Sequence, residues 1–266
     1  MRGRPQFPQT ILSPTTHLNM TKMCEILQHT FKALHQQLGH NTLCDTRPFW
    51  QRRISTASAF CRALVANGYM TTEQMEQATL LYRLGLSRKG GVIFWQYDEN
   101  DIMHDGKIMY YRPDCHRDHN RNPTWVSHLL RKGGYLPEDW KTEHCLFGLH
   151  LLQDSKKNVA VVESEKTAVI MSAVKPDYTW LATGGKTELN VAKLKPLQGR
   201  RVILFPDTDE TGKTYQDWYE IAQAASDVFG HPVTVSSILE QKATEAQKAG
   251  KIDIADLIFP LQETTD

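Results

Sequence analysis

The fold is decided by two segments: Val159-Ala-Val-Val-Glu163-Ser-Glu165-Lys166-Thr-Ala168 and Val202-Ile-Leu-Phe-Pro-Asp207-Thr-Asp209-Glu210-Thr-Gly212. In each, an apolar run typical of a buried strand ends in carboxylates, and a stretch of helical character follows. If the two strands are parallel neighbours, Glu163, Asp207 and Asp209 lie at the sheet edge where open α/β sheets bind ligands. Carboxylates gathered there repel one another unless a hard cation such as Mg²⁺ lies among them. The two segments therefore predict a metal-dependent phosphate site.

The C-terminal half of the chain continues this alternation of strands and helices, which is typical of a parallel sheet in an α/β fold. Apolar runs predict strands at 159–162, 178–182, 202–205 and 233–236. The patterns between them predict helices at 166–174, 187–194, 211–229 and 253–258. The polar stretch that follows the last strand predicts no regular element.

The N-terminal part has a different organisation. Residues 1–19 are expected to be a disordered tail, and apolar residues three and four apart predict a helix within the segment 20–54. Two helices are expected between 56 and 84, followed by strands at 92–97 and 107–111 and a short helix at 125–131. The linker 98–106 is rich in turn formers, with an Asp-Gly turn at its end.

Length and composition set broad limits. The chain has 266 residues, which is enough for one large or two small domains. Its apolar runs are too short to span a membrane and its first residues lack the apolar core of a signal peptide, so a cytoplasmic protein without a membrane partner is expected. Five scattered cysteines predict reduced thiols rather than a disulfide framework. The net charge of +1 means that any attraction to nucleic acid must be local.

The glutamate after one strand and the Asp-x-Asp after a later one resemble the Toprim domain, which bacterial-type primases, topoisomerases, OLD-family nucleases and recombination mediators share. The residues that carry the resemblance are Glu163, Asp207, Asp209 and Gly212, the glycine turn 183–186, and the later Asp253-Ile-Ala-Asp256 of the primase branch. The resemblance implies a Rossmann-like, mostly parallel sheet with flanking helices over residues 151–260. It also implies Mg²⁺ or Mn²⁺ at Asp207, Asp209, Asp253 and Asp256, with Glu163 as general base or further ligand.

Residues 55–150 look like the smaller α+β subdomain that precedes Toprim in the catalytic core of bacterial primases. The resemblance rests on the glycine-opened strand at 92–97, its partner strand, the basic stretch after it and Cys145-Leu-Phe-Gly-Leu149. Residues 261–266 are expected to be a tail. The zinc-ribbon and helicase-binding domains of replicative primases are not expected here, so the chain resembles the short primase-like proteins of phages, plasmids and mobile elements. A separate helicase or zinc-ribbon protein is the implied partner.

Phosphate-binding residues are predicted beside the carboxylates. Gly184, Gly185 and Lys186 precede a predicted helix and can cradle a phosphate, although glycines here can equally be simple turn residues. Lys166 can bind a phosphate or be a solvated neighbour of Glu165. Glu165 can support the metal-binding carboxylates from behind, but the preferred interpretation is an acid in the first helical turn, where the helix dipole stabilises negative charge.

A basic and aromatic stretch is the candidate surface for single-stranded DNA. It contains Arg112, Arg117, Arg121, Trp125, Arg131 and Lys132, together with two tyrosines. Basic groups neutralise phosphates and aromatic rings stack on bases, but a solvated loop explains the same composition. Cys115, His116 and His119 have no obvious fourth ligand apart from His128, so no zinc is expected.

The resemblance therefore implies a primase-like nucleotidyltransferase that acts in DNA replication on single-stranded DNA with nucleoside triphosphates. Two alternatives stay open. A Toprim nuclease would use the same metal-binding carboxylates, and a degenerate Toprim module would bind nucleic acid without catalysis.

Overall fold

The computed structural model describes residues 54–259, so the expectations for the N-terminal tail, the N-terminal helix and the C-terminal tail lie outside the described residues. Two four-stranded sheets organise this part of the chain. The first is antiparallel, with strands β1 (Gly85–Leu86), β2 (Val92–Tyr97), β3 (Met103–Met109) and β4 (Thr124–Trp125) in that order. The second is parallel, with strands β5 (Asn158–Val162), β6 (Tyr178–Ala182), β7 (Val202–Phe205) and β8 (Val233–Val235) in the order β6-β5-β7-β8.

Helices pack against both sheets. Those of the N-terminal part are α1 (Ala59–Ala66), α2 (Thr72–Leu81) and α3 (Val126–Lys132). Those of the C-terminal part are α4 (Glu165–Val174), α5 (Val191–Leu194), α6 (Lys213–Phe229), α7 (Ile238–Lys242), α8 (Glu245–Ala249) and α9 (Ile254–Ile258). Two 3₁₀ turns, Leu149–Leu152 and Lys195–Leu197, complete the elements.

The predicted strands of the C-terminal half are confirmed, because continuous apolar runs suit strands covered on both faces. Residues Val159–Val162 of β5 have no exposed surface. Two helix predictions were wrong in detail. The helix predicted at 187–194 is only α5, because Asn190 caps its start by accepting from the Lys193 N–H. The polar stretch after β8 holds α7 and α8, and a Thr244–Gln247 capping box starts α8.

The predicted Asp-Gly turn was also wrong. Asp105 and Gly106 lie inside β3, opposite Gln96 and Trp95. The chain turns earlier, where the Asp98 carboxylate accepts from the N–H groups of residues 100 and 102. A Cβ on Gly106 would lie 2.6 Å from the Trp95 ring, so this glycine permits close packing within the sheet rather than a turn.

A shared apolar core joins the two sheets. Phe147 forms a bridge with Ala182 of β6, through hydrogen bonds of 2.8 and 3.1 Å, and its ring stacks on Tyr82. The Tyr82 hydroxyl donates to the carbonyl of Trp180 at 2.9 Å. Because Phe94 of β2 packs on the same ring, the antiparallel sheet is fixed relative to the parallel one. Between residues 54 and 259, the helices are all too short or too polar to cross a membrane.

Candidate metal and nucleotide site

The carboxyl ends of β5 and β7 bring Glu163 and Asp207 together. Val162 pairs with Phe205 in the parallel ladder, so Glu163 follows the paired position directly and Asp207 follows it after Pro206. The Glu163 side chain is buried and its Oε1 has no hydrogen-bond partner among the described residues. Asp207 Oδ1 is also buried without such a partner. The edge therefore holds two carboxylate oxygens that are removed from water and not compensated.

The pKa values of Glu163 and Asp207 show that it is unfavourable to ionise both buried carboxyl groups. The Glu163 pKa is raised to about 7, mainly by burial; Asp209 and Asp253 act in the same direction, while a backbone hydrogen bond from Asp207 and the charge of Lys186 oppose them. The Asp207 pKa lies well above its ordinary value, because of burial first and then repulsion by Glu163. When both carboxyl groups are ionised they repel each other, and a cation between them would offset that repulsion.

Asp209 is held by the start of α6. Its Oδ1 accepts from the Thr211 N–H at 2.9 Å, the Thr211 hydroxyl at 2.7 Å and the Lys213 N–H at 3.1 Å. Its Oδ2 accepts from the Thr214 N–H at 2.6 Å and from the Thr214 hydroxyl. Burial opposes the charge, but these hydrogen bonds outweigh it and hold the Asp209 pKa well below its ordinary range. The Asp209 carboxylate therefore stabilises the turn that leads into α6.

Asp253 and Asp256 form the start of α9. Asp253 Oδ1 accepts from the N–H groups of Ala255 and Asp256, and its Oδ2 accepts from the Thr167 hydroxyl. Asp256 Oδ2 accepts from the Asp253 N–H, which completes a capping box. Lys166 lies beside both carboxylates. Burial lowers the Lys166 pKa, but Asp253 and Asp256 outweigh it and the net pKa is raised.

Lys107 links the antiparallel sheet to this edge, and sequence reasoning missed it. Its Nζ lies 3.1 Å from Glu165 Oε1 and donates to the Gly184 carbonyl at 2.6 Å. Glu165 is 2% exposed, so Lys107 is the counter-ion of a deeply buried carboxylate. The contact joins positions 58 residues apart. The one sequence feature that could have indicated this contact is a single lysine at the start of a predicted strand.

The N–H groups of Gly184 and Gly185 donate hydrogen bonds to other atoms of the chain. The Gly184 N–H donates to the Glu163 carbonyl at 2.9 Å, and the Gly185 N–H donates to the Thr183 hydroxyl at 3.4 Å. Gly184 has φ +87°, which favours glycine. Lys186 follows with its Nζ 3.6 Å from Asp209 Oδ2 and its side chain half exposed. The turn thus presents a lysine, rather than free N–H groups, to the carboxylate edge.

The basic stretch is tied into local structure. Arg112 pairs with Asp114 at 2.8 Å, and the Arg131 guanidinium donates to the Trp140 carbonyl at 3.3 Å. Arg121 lies 3.4 Å from the centre of the Tyr110 ring. The Trp125 ring stacks on His144 with centroids 3.8 Å apart. A backbone bridge joins Arg117 to Tyr111, and Lys132 lies in the last turn of α3.

A divalent cation fits Glu163 and Asp207 on the strength of their two buried, unpaired oxygens. Across residues 54–259, no group of three or more His, Cys, Asp or Glu side chains is arranged to hold a metal ion. Two carboxylates are nevertheless a normal protein share for Mg²⁺, which takes its remaining ligands from water and substrate phosphates. The candidate metal centre is therefore a two-carboxylate edge with Lys186 beside it.

Comparison with known proteins defines the class of the chain. A family model described as a domain of unknown function, DUF6371, matches residues 58–208. The match covers more than half of the chain, so the chain belongs to this family. The matched region contains the antiparallel sheet and strands β5 to β7 of the parallel sheet, and it ends just after Asp207, before α6 and β8. The search of curated proteins gave no match.

Several solved primase structures are similar to the chain. The primase fragment of the bacteriophage T7 primase-helicase is 16% identical with a TM-score of 0.38, over 66% of this chain and 70% of that one. The DnaG primase catalytic domain bound to ssDNA is 15% identical with a TM-score of 0.46, over 91% and 86%. The Aquifex aeolicus primase, with its zinc-binding and RNA polymerase domains, is 13% identical with a TM-score of 0.37, over 70% and 49%. All three TM-scores lie below 0.5.

Proposed function

We propose that the chain is a primase-like nucleotidyltransferase of the Toprim type, acting on single-stranded DNA with nucleoside triphosphates and Mg²⁺ or Mn²⁺. One observation carries the proposal: Glu163 Oε1 and Asp207 Oδ1 are buried without hydrogen-bond partners at the carboxyl ends of adjacent parallel strands. The sequence motif around them, which resembles Toprim, supports it. The same resemblance supports a division into a primase-core-like subdomain at 55–150 and a Toprim domain at 151–260.

In this proposal Glu163 and Asp207 hold the cation, which supplies charge stabilisation for the transferred phosphoryl group. Asp209 keeps the turn after β7 rigid through its hydrogen bonds to Thr211 and Thr214, so it positions Asp207. Lys186 lies on the same edge and is half exposed, which suits an ion pair with a triphosphate. Glu163, with a pKa of about 7, exchanges a proton readily near neutral pH when no cation is bound.

The proposed partners follow from this activity. Single-stranded DNA would pass the basic stretch, where Arg121 on Tyr110 and the Trp125–His144 stack present cationic and aromatic groups. A separate helicase or zinc-ribbon protein, a cytoplasmic location and a role in replication of a phage, plasmid or mobile element belong to the same proposal.

The test incubates the purified full-length protein with single-stranded DNA, labelled nucleotides and Mg²⁺ or Mn²⁺. Wild type runs beside Glu163→Gln, Asp207→Asn and the control Glu220→Gln, which changes an exposed glutamate of α6. New oligomers from wild type and Glu220→Gln alone are expected. Shortened DNA without synthesis would replace the proposal with metal-dependent cleavage.

A binding module without catalysis is the second candidate, and the state of Asp209 favours it. Both Asp209 oxygens accept hydrogen bonds from the chain itself, so this carboxylate stabilises the turn rather than binding a metal ion. If wild type binds single-stranded DNA in a gel-shift measurement but gives neither synthesis nor cleavage, this candidate replaces the enzyme.

A further inference from the structure

A partly buried lysine, Lys166, lies beside Asp253 and Asp256, two of the carboxylates that the sequence predicts as metal ligands. Lys166 Nζ is 4.0 Å from Asp253 Oδ2 and 3.9 Å from Asp256 Oδ1. The lysine side chain is 17% exposed, and the Asp253 side chain is 7% exposed. The ammonium is therefore enclosed with the two carboxylates rather than extended into solvent.

The other acceptor positions of this pair are also occupied. Asp253 Oδ1 accepts from the N–H groups of Ala255 at 2.7 Å and Asp256 at 2.9 Å, while its Oδ2 accepts from the Thr167 hydroxyl. Asp256 Oδ2 accepts from the Asp253 N–H at 3.1 Å. A metal ion between these carboxylates would have to displace the ammonium from Asp253 Oδ2 and Asp256 Oδ1.

Glu163 and Asp207 differ from this pair in both respects. Each has a buried oxygen without a hydrogen bond, and within the described part of the chain the structure places no lysine ion pair on either. The cluster thus has one pair of carboxylates that has an ammonium beside it and one pair that has none. The buried charge that lacks a partner is at Glu163 and Asp207, and a cation bound there would offset it.

We propose that the cluster binds a single divalent cation, at Glu163 and Asp207, and that the Lys166 ammonium holds the position of a second cation between Asp253 and Asp256. This inference rests on the proposed metal-dependent function. It makes Lys166 a fixed positive charge of the site instead of a residue that binds a substrate phosphate. A fixed ammonium stabilises nearby negative charge at every metal concentration, whereas a second metal ion would have to bind first.

The first test counts ions on the full-length protein. Equilibrium dialysis against Mn²⁺, with free Mn²⁺ measured by electron paramagnetic resonance, should give one bound ion per chain. Two bound ions would overturn the inference and leave the proposed function standing. No bound ion would overturn both.

The second test removes the ammonium. Lys166→Met should gain a second bound Mn²⁺, whereas Lys166→Arg and the charge-balanced double variant Lys166→Met/Asp256→Asn should keep one. Lys213→Met is the matched control, because its exposed ammonium pairs with Asp217 on the surface of α6, and it should also keep one ion. Lys166→Met that is folded by circular dichroism and still binds one ion would contradict the proposal.

A melting measurement covers the case in which Lys166→Met folds poorly without metal. Adding Mn²⁺ should then raise its melting temperature by more than that of wild type, because the ion replaces the missing charge and stabilises the state that binds it. An equal or smaller rise would overturn the proposal.

Discussion

The ammonium of Lys107 in β3 lies 3.1 Å from Glu165 Oε1 at the start of α4, so an ion pair joins the antiparallel sheet to the carboxylate edge of the parallel sheet. The same ammonium donates to the Gly184 carbonyl in the turn after β6. One side chain thereby fixes the position of two segments that border Glu163. The Lys107–Glu165 ion pair therefore joins the two sheets and also holds the segments around Glu163 in place.

Removing this lysine should be costly. Lys107→Met leaves the Glu165 carboxylate buried without its counter-ion, and breaking a buried pair in this way costs about 3 kcal/mol. Urea unfolding of the metal-free protein measures the change. Lys213→Met, which removes an exposed partner of Asp217, should cost less than about 0.5 kcal/mol. The prediction fails if both variants lose the same amount, or if Lys107→Met/Glu165→Gln is no more stable than Lys107→Met.

Gly184→Ala should destabilise the protein more than Gly199→Ala. Both glycines have positive φ, +87° and +82°, so each alanine carries a left-handed strain of roughly 1–2 kcal/mol. At Gly184 the added Cβ would also lie 3.2 Å from Glu165 Oε1, whereas at Gly199 nothing lies within 4 Å. Thermal unfolding of the two variants isolates the crowding at Glu165, and equal losses would show that the turn yields without disturbing that carboxylate.

The metal-free protein should lose stability as the pH rises from about 4.5 to about 7. The Glu163 pKa is raised from 4.5 to about 7 on folding, so in this window the folded chain holds a proton that the unfolded chain releases. The stability that this group contributes is complete below the unfolded pKa and lost as pH passes the folded one. The raised pKa of Asp207 acts in the same direction.

Glu163→Gln should flatten that pH dependence, because the variant side chain does not titrate. Melting temperatures in a chelator across the window give the two slopes, with Glu220→Gln as the exposed control. Added Mg²⁺ should restore wild-type stability at pH 7.5 and have less effect on Glu163→Gln. If the melting temperature has the same pH dependence in all three proteins, titration of Glu163 is not its cause.

Asp209→Ala should destabilise α6 by about 2 kcal/mol, the upper range for loss of a helix cap. The carboxylate accepts five hydrogen bonds from Thr211, Lys213 and Thr214, and alanine accepts none. Asp217→Ala, in the same helix, loses only an exposed ion pair and is the control. Chemical denaturation measures both. Equal stability of the two variants would contradict the structural role of Asp209.

The sequence predicted the parallel sheet well and the carboxylate cluster only in outline. Buried strands such as β5 carry their signal in consecutive residues, so apolar runs were sufficient to locate them. The placement of Asp105 in β3 was missed, because its burial depends on Ser127, whose N–H and hydroxyl both donate to the carboxylate from 22 residues away. Local turn propensity was overridden there by a long-range contact.

The different roles of the acidic residues could likewise not be predicted from the sequence. Asp207 and Asp209 are two residues apart and chemically identical, yet one has a buried oxygen without a hydrogen bond and the other is saturated. The difference depends on which side chain points toward the first turn of α6. Lys166 beside Asp253 joins two segments that only the folded chain brings together.

The Phe147–Ala182 bridge has a consequence for folding cooperativity. An aromatic residue from the N-terminal part pairs with the edge strand of the other sheet, and its ring contacts Tyr82 and Phe94 in one continuous core. We expect calorimetry to show a single transition for both sheets, with matching calorimetric and van't Hoff enthalpies. A chain cut between residues 150 and 151 would then expose this ring on one fragment and the uncovered β6 edge on the other, so each half would depend on its complement to fold.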